Sequence, residues 1–435
     1  MENKRFMKNL NFALILSVLY SLTTNAQTFS GGDGTSSNPF LISSKNDMAK
    51  LGENVNGNGY TQANSYMGKY FLLTTDITDA VSSIIGSIET KPFSGNFDGG
   101  NHTITFNGNF SSSSANSIGS NYNAGVGVFG YLLNATIKNL NVIGKLSSTN
   151  PKYAGGICGS ASKSTITNCN YSGSVSSSNG IYVGGICGCS SETIISNCSN
   201  SGSVSFNIAF AGGICGLSSS TSKLMNCYNT GDITWMNHGN SFYDLCAGGI
   251  CGRGYCDISF CYNTGGVFGV GGCICGDPYG IILGCVNIGN VVYAGFISKT
   301  QTAKIDNCYV LSGENISSFQ SQSWIANTLG WDFNNVWKMS DINSVYKGFP
   351  IFKTQKDIFT NIQSVNLNNI NDVSAFITNK GITINGCNPS DKVNIYSVNG
   401  QFIYGSVVGD GLIPCLLQRG TYIIQTTKKS LKVVY

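Results

Sequence analysis

The segment "YVGGICGCSSETIISNC" (182–198) decides the fold, because its glycines, isoleucines and cysteines recur along the middle of the chain. A second Cys follows the first after ten to twelve residues in every copy. A period of 23 to 36 residues is typical of solenoid repeats, in which each unit stacks on the next. The motif "GGICG", or "GCICG" in the last case, begins at Gly155, Gly184, Gly212, Gly248 and Gly272.

The two cysteines of each copy are predicted to form two stacked interior rows. In the outer copies Phe129 and Leu140 hold the two cysteine positions, and Ile297 holds the first. A position that accepts Cys, Phe, Leu or Ile is an apolar interior position, where a free Cys behaves as a small hydrophobe. The first row is Cys158, Cys187, Cys215, Cys251 and Cys275, and the second is Cys169, Cys198, Cys227, Cys261, Cys285 and Cys308.

We expect these thiols to be mostly free. In-register coils lie about 4.8 Å apart, but parallel side chains fit the torsion of a disulfide poorly. Cys189, Cys246, Cys256 and Cys273 fall outside the rows, and disulfides among them are left open. The chain has no C-x-x-C, and its C-x-C pairs lack a nearby His, so no metal site and no cofactor is predicted.

Each unit holds three short apolar pieces bounded by Gly, Ser or Asn, and no piece shows helical periodicity. The fold class predicted is therefore all-β, a parallel β-helix whose coils are stable only when stacked. An Asn precedes the second cysteine position in most units, and we expect a left-handed bend there, with the amides stacked as a structural ladder. These residues are Asn139, Asn168, Asn197, Asn226 and Asn307.

Over residues 31 to about 352 the chain resembles the GLUG-motif proteins, secreted repeat proteins common in Bacteroidota and also found beside some bacterial peptidase domains. The resemblance rests on "GGDGTSSNPFLISSKNDMAKLGENVN", "GKYFLLTTDI", "FSGNFDGGNHTI", the repeats and "LGWDFNNVWKMS…GFPIF". It implies a right-handed β-solenoid with an N-terminal cap. It implies no single activity, and no peptidase domain is visible.

The two ends indicate export. Lys4, Arg5 and Lys8 precede an apolar run and small residues before Gln27, the pattern of a secretory signal. After a polar linker, the strand patterns "VNIYSVNGQ", "RGTYIIQ" and "KSLKVVY" predict a small β-sandwich and resemble the C-terminal sorting domains of type IX secretion cargo. That resemblance implies the secretion machinery as a partner and an extracellular or outer-surface location. The segments are 1–26 signal peptide, 27–122 cap and first coils, 123–355 repeats with a Trp-rich C-terminal cap, 356–372 linker and 373–435 sandwich.

The cap assignment rests on Trp324, Trp331 and Trp337, which lie among other apolar residues. A sugar-stacking platform is the alternative for these three side chains. Beyond the leader, no segment reads as transmembrane. Only 11% of residues are charged and the net charge is +4 without a basic stripe, so nucleic acid is not an expected partner.

No catalytic constellation stands out, and the chain is predicted not to be an enzyme. The best carboxylate candidates, Asp76, Asp79, Glu89 and Asp98, read as turn residues, and Asp257, Asp277 and Asp306 occupy no recurring position. The two histidines are His102, in a turn, and His238, in an insertion that lengthens one coil. Insertions in solenoids often form binding loops. The candidate ligand-binding residues are Trp235, His238, Phe242 and Tyr243.

The predicted function is a non-catalytic adhesin or binding scaffold for glycans or for host and matrix proteins. A carbohydrate-active enzyme on the same fold is one alternative, and it requires converging carboxylates. A structural surface protein without a specific ligand is the other, and it requires that the loop from 234 to 245 pack against the solenoid wall.

Overall fold

The structure is a computed structural model of the 435-residue chain. It describes residues 29–57, 64–110, 125–149, 151–178, 180–207, 210–236, 245–295, 303–342, 344, 346–355, 374–378, 381–385, 392–397, 402–407, 412–413, 421–426 and 430–434. The chain divides into two compact units, Met1–Gly313 and Glu314–Tyr435. The predicted signal peptide and linker lie outside the described residues, as do His238, Phe242, Tyr243 and Ile297.

The described strands are short. The first ten are β1 (Phe40–Ile42), β2 (Tyr70–Leu73), β3 (Ile77–Val81), β4 (Asn96–Asp98), β5 (Thr103–Phe106), β6 (Gly108–Phe110), β7 (Gly125–Val126), β8 (Phe129–Leu133), β9 (Thr136–Lys138) and β10 (Asn141–Ser148). The next thirteen are β11 (Tyr153–Gly155), β12 (Cys158–Ser162), β13 (Thr165–Thr167), β14 (Asn170–Ser177), β15 (Tyr182–Gly184), β16 (Cys187–Ser191), β17 (Ile194–Ser196), β18 (Ser199–Asn200), β19 (Ser203–Phe206), β20 (Phe210–Gly212), β21 (Cys215–Ser218), β22 (Lys223–Met225) and β23 (Tyr228–Asn229).

The first unit closes with twelve further strands. They are β24 (Ile233–Trp235), β25 (Cys246–Gly248), β26 (Cys251–Gly254), β27 (Asp257–Ser259), β28 (Tyr262–Asn263), β29 (Val267–Gly272), β30 (Cys275–Pro278), β31 (Ile281–Leu283), β32 (Val286–Asn287), β33 (Val291–Gly295), β34 (Lys304–Asp306) and β35 (Tyr309–Val310).

The strands of the first unit form three long sheets in which every pairing is parallel, which confirms the predicted parallel β-helix. One wall is the ten-stranded sheet β1-β2-β4-β9-β13-β17-β22-β27-β31-β34. A second wall is the six-stranded sheet β30-β26-β21-β16-β12-β8, and the remaining strands form a nineteen-stranded third wall. Each "GGIC" piece is divided between two walls: β11 ends at Gly155 in the third wall, and β12 begins at Cys158 in the second.

The interior holds the two cysteine rows. The first row is in register from coil to coil, Cys158 pairing with Phe129 on one side and Cys187 on the other. All of its members are buried free thiols, and the Sγ atoms of Cys158 and Cys187 lie 3.4 Å apart. The second row is also buried as far as Cys285, whereas Cys308, in the last coil, is only half-buried. Cys189, Cys246, Cys256 and Cys273 are free thiols as well.

The five asparagines before the second cysteine row have positive φ angles of 49° to 54°, the left-handed region. Phe260 (φ 56°) and Gly284 (φ 60°) take the same place in two later coils. The bend breaks the alternation of the strand, so that both Ile166 and Cys169 point inward. The amide of Asn168 donates to that of Asn139 over 3.2 Å.

A second amide ladder lies deeper and is absent from the sequence-based expectations. Asn200, Asn229, Asn263 and Asn287 are fully buried, and each of the first three donates its Nδ2 to the next Oδ1 over 2.7 to 2.8 Å. Each Nδ2 also donates to the carbonyl two residues ahead, as from Asn229 to Gly231 over 2.7 Å. Buried amides are tolerated only when their hydrogen bonds are satisfied, and here each coil satisfies the next.

The N-terminal end of the solenoid carries the helix α1 (Lys45–Asn56). Ser44 caps it by accepting from the amide of Asp47, and the Asp47 carboxylate accepts in turn from the Ser43 amide. Met48, Leu51 and Val55 form its buried face. No helix in the described part of the chain is long and apolar enough to cross a membrane.

The second unit begins with a 3₁₀ segment (Gly313–Gln320), the short helix α2 (Gln322–Trp324) and a π-helical turn (Ile325–Leu329). Trp331 and Trp337 are buried and stack at 4.6 Å, while Trp324 is half-buried. Nine strands follow, all in antiparallel sheets. They are β36 (Trp337–Met339), β37 (Pro350–Phe352), β38 (Ser374–Thr378), β39 (Gly381–Asn385), β40 (Lys392–Ser397), β41 (Phe402–Val407), β42 (Leu412–Ile413), β43 (Thr421–Thr426) and β44 (Ser430–Val434).

Candidate functional site

The candidate functional site is a groove on the outer face of the ten-stranded wall, across β2, β4 and β9 and beside the loop that precedes β1. Its volume is about 300 Å³, at the lower end of small-molecule sites. Two in-register rows of outward side chains run along it. One is Tyr70, Asn96 and Thr136, and the other is Leu72, Asp98 and Lys138. The intervening row, Phe71, Phe97 and Ile137, is buried inside.

A loop before β1 forms one side of the groove through Ser36 and Pro39. The Asp33 carboxylate accepts from the amide and the hydroxyl of Thr35 at 2.9 and 2.8 Å, which fixes the turn. The Gly34 carbonyl accepts from the Tyr70 amide, so the loop is tied to the wall. Gly34 has φ 78°, and a Cβ there would lie 2.3 Å from the Phe40 ring, so this position requires glycine.

An ion pair dominates the electrostatics of the groove. The Lys138 Nζ lies 3.1 Å from Asp98 Oδ2, and the pairing follows from register, because Asp98 and Lys138 are opposite each other on β4 and β9. Asp98 Oδ1 also accepts from the Gly100 amide at 3.0 Å and from Asn139 Nδ2 at 2.9 Å. Partial burial favours the neutral acid, but these hydrogen bonds and Lys138 outweigh it and hold the pKa of Asp98 below its ordinary value.

The groove therefore combines an apolar and a polar end. The Tyr70 ring is 38% exposed and stands near Leu72 and Pro39. Asp98 supplies a charged acceptor, Lys138 a charged donor, and Asn96 an amide. Such a lining can hold a small ligand that has one apolar face and several hydroxyl groups.

The other carboxylates proposed from the sequence do not join Asp98. Asp76 accepts from the Thr103 amide at 2.8 Å and lies 3.2 Å from His102 Nδ1, and this contact fixes the turn before β5. Asp79 and Glu89 are exposed, and neither lines the groove. Among the described residues no group of three His, Cys, Asp or Glu side chains is arranged to hold a metal ion.

The candidate loop residue that the structure describes, Trp235, is half-buried and packs against the solenoid core. Its indole N–H donates to the Asn207 carbonyl at 3.0 Å. His238, Phe242 and Tyr243 lie outside the described residues, so the binding loop stays a prediction.

Two cysteines outside the interior rows, Cys189 and Cys273, are poor nucleophiles. Burial raises the pKa of Cys189 and of Cys273 to about 12. A thiol reacts as its thiolate, so these side chains are inert near neutral pH.

Sequence reasoning named Asp98 but missed Tyr70, Asn96 and Lys138. Tyr70 and Lys138 are separated by most of the N-terminal region in the sequence, and only the register of β2, β4 and β9 brings them to one face. The signal available was weak, since Lys138 occupies the place that Thr167 and Ser196 hold in the next coils.

Comparisons with known proteins add little. No family model matches the chain. No curated protein matches it. The chain is similar to a solved structure described as a "putative immunoglobulin A1 protease" from Bacteroides ovatus, with 19% identity, a TM-score of 0.42, and coverage of 76% of this chain and 96% of that one. A TM-score this low carries no inference about what the present chain does.

Proposed function

We propose that this protein is an exported, non-catalytic binding solenoid that holds one or two sugar units of a glycan in the N-terminal groove. The observation that supports this function is the exposed Tyr70 ring beside the in-register Asp98–Lys138 pair, in a groove of about 300 Å³. A pyranose presents an apolar C–H face, which a tyrosine ring can cover, and hydroxyl groups, which a carboxylate, an ammonium and an amide can bind.

The ionisation of Asp98 favours binding over catalysis. A general acid for glycoside cleavage needs a raised pKa and, in most families, a second carboxylate on the opposite side of the bond. The pKa of Asp98 is lowered, and no other carboxylate among the described residues lines the groove. An Asp98 that is ionised at neutral pH suits a hydrogen-bond acceptor for sugar hydroxyls.

The test is electrophoresis of the chain without its leader through native gels cast with individual polysaccharides: a β-glucan, an α-mannan, a galactan, polygalacturonate and mucin glycans. We expect retardation in at least one gel. A cleared zone would show depolymerisation and would replace the binding function by the enzymatic alternative. Unchanged mobility in every gel would contradict glycan binding.

Two substitutions assign the binding to the groove. Tyr70→Thr and Lys138→Thr introduce the residue that other strands of this wall carry in the same rows, at Thr136 and Thr167, so the wall should be preserved. Each should weaken retardation by roughly tenfold in Kd, equivalent to about 1.4 kcal/mol. Lys223→Thr, on the same wall but outside the groove, is the matched control and should bind like the native chain. If all three variants bound as tightly as the native chain, the ligand would have to bind outside the groove.

A further inference from the structure

The outer face of the six-stranded wall changes its chemistry in the last two coils. One in-register row reads Tyr131, Ser160, Cys189, Leu217, Arg253 and Asp277 along the solenoid. Two residues later in each coil the row reads Leu133, Ser162, Ser191, Ser219, Tyr255 and Tyr279. The early coils thus present no charge in these rows, whereas the last two present an ion pair and two tyrosines.

The ion pair is held from two sides. Arg253 Nε lies 2.8 Å from Asp277 Oδ2, and the guanidinium carbon lies 4.0 Å from the centre of the Phe210 ring. Phe210 ends a ladder in which Tyr153, Tyr182 and Phe210 stack at 5.7 and 5.8 Å. Among the described residues, the Arg253 amino groups beyond Nε donate to no protein atom. Arg253 therefore presents a fixed pair of donors.

The fold does not require this pair. Placing a carboxylate at 7% exposure against an arginine at 23% costs desolvation energy that the attraction between them only partly offsets. Ser160, Cys189 and Leu217 occupy the same row in earlier coils and need no charge. A costly pair at a position that accepts neutral residues indicates a role in binding.

Tyr255 and Tyr279 lie beside the pair and face solvent. Their rings stack at 4.6 Å and are 40% and 48% exposed, and the Tyr279 hydroxyl lies 3.3 Å from Asp277 Oδ2. Serine holds this row in the three preceding coils. Stacking restricts both rings, so a ligand that covers them costs little side-chain entropy.

We propose that Arg253, Asp277, Tyr255 and Tyr279 form a second glycan-binding site for a neutral sugar with adjacent hydroxyl groups. Arginine donates to the sugar hydroxyls, the buried aspartate holds the arginine and the Tyr279 hydroxyl in place, and a tyrosine ring covers the apolar face of the sugar. The two charges cancel, so the patch does not select an anion or a cation. It repeats the chemistry of the groove, a tyrosine beside an in-register pair of opposite charges, on a different wall. Two such sites on one chain would raise the avidity for a long polysaccharide.

The test counts the sites by isothermal titration calorimetry on the chain without its leader. The probes are neutral hexasaccharides of β-glucan, α-mannan and galactan. The wall variant R253L/D277S/Y255S/Y279S restores residues of the preceding coils, so the fold should persist, and its circular dichroism and melting should stay close to native. The control K163N/E192N removes an exposed ion pair from the turns and introduces the residue found at Asn134.

We expect two hexasaccharides per native chain, one per wall variant, and two per control, whereas the Lys138→Thr variant should keep two sites with one Kd raised about tenfold. Tyr279→Ser alone should weaken the second site by at least fivefold without loss of folding. If the native chain bound a single hexasaccharide and only the wall variant abolished that binding, the result would support the site at Arg253 and contradict the groove. A single site per native chain that Lys138→Thr weakens and the wall variant leaves unchanged would overturn the second site and support the groove. No binding of any probe would overturn both.

Discussion

The interior of the solenoid and the outer face of its six-stranded wall are built on the same strands but follow opposite rules. Inside, Cys158, Cys187, Cys215, Cys251 and Cys275 repeat one residue type in five successive coils, in register. Outside, on the same strands, the row changes from Ser160 and Cys189 to Arg253 and Asp277. The backbone therefore does not dictate the outer residues.

The physical reason is that interior and outer side chains have different neighbours. An interior side chain is surrounded by the same positions of the coils above and below, so a change in one coil opens a cavity or leaves a polar atom unpaired. An outer side chain contacts solvent on one side and can vary with little cost. The buried charges of Arg253 and Asp277 stand in an outer row whose earlier coils carry Ser160, Cys189 and Leu217, so the coil itself does not require them.

The largest loss of stability is expected for a substitution in the interior. Asn263→Ala removes an amide that donates to Asn287 Oδ1 and Gly265 O and accepts from Asn229. Several buried polar atoms would lose a partner, and the free energy of unfolding should fall by about 3 kcal/mol or more in urea denaturation. Asn170→Ala is the matched control, since Asn170 stacks on Asn141 in the same way but is only half-buried, and it should cost under about 1 kcal/mol. Equal costs for Asn263→Ala and Asn170→Ala would mean that burial does not explain the cost of losing a stacked amide.

Substitutions in the Arg253–Asp277 pair should have an intermediate effect on the free energy of unfolding, and the effects of the two substitutions should not be additive. Arg253→Leu alone removes the cation from a carboxylate at 7% exposure and should lower the free energy of unfolding by about 2 kcal/mol. R253L/D277S, which removes both charges, should cost under about 1 kcal/mol. A double-mutant cycle by urea denaturation measures the coupling. If the double variant proved less stable than both single variants, the pair would be a structural requirement of these coils.

The smallest loss of stability is expected for a substitution in the groove, and this loss should depend on pH. Burial opposes ionisation of Asp98, but the Gly100 amide, Asn139 and Lys138 hold its folded pKa below the ordinary value of 3.8. The charged form therefore stabilises the fold above the unfolded pKa, and this contribution disappears as the pH falls through the folded pKa. Asp98→Asn should cost about 1 kcal/mol at pH 7 and progressively less below pH 3.8, as measured by thermal melting across pH. A cost that did not change with pH would show that the charge of Asp98 is irrelevant.

Sequence reasoning succeeded where the chemistry of a single residue type indicates the environment or the backbone conformation at its position. Phe129 in a cysteine slot identifies that slot as apolar, and Asn168 before Cys169 signals the left-handed bend that the structure shows. The inner asparagine ladder was missed, although the recurring spacing in "CSNSG", "CYNTG" and "CVNIG" was present. Its asparagines follow the cysteine by two residues, and alternation alone does not say whether such an amide faces its counterpart or the solvent.

The sequence by itself determined the repeat, the parallel coil and the apolar character of the cysteine rows, because these properties depend on a pattern that every unit repeats. Only the tertiary structure decided which of the non-repeating residues come into contact with one another. Lys138 reaches Asp98, and Arg253 reaches Asp277, only because the coils stack in a fixed register that brings distant segments within 3.1 and 2.8 Å. Both candidate glycan sites consist of such single occurrences, which a periodic signal does not contain.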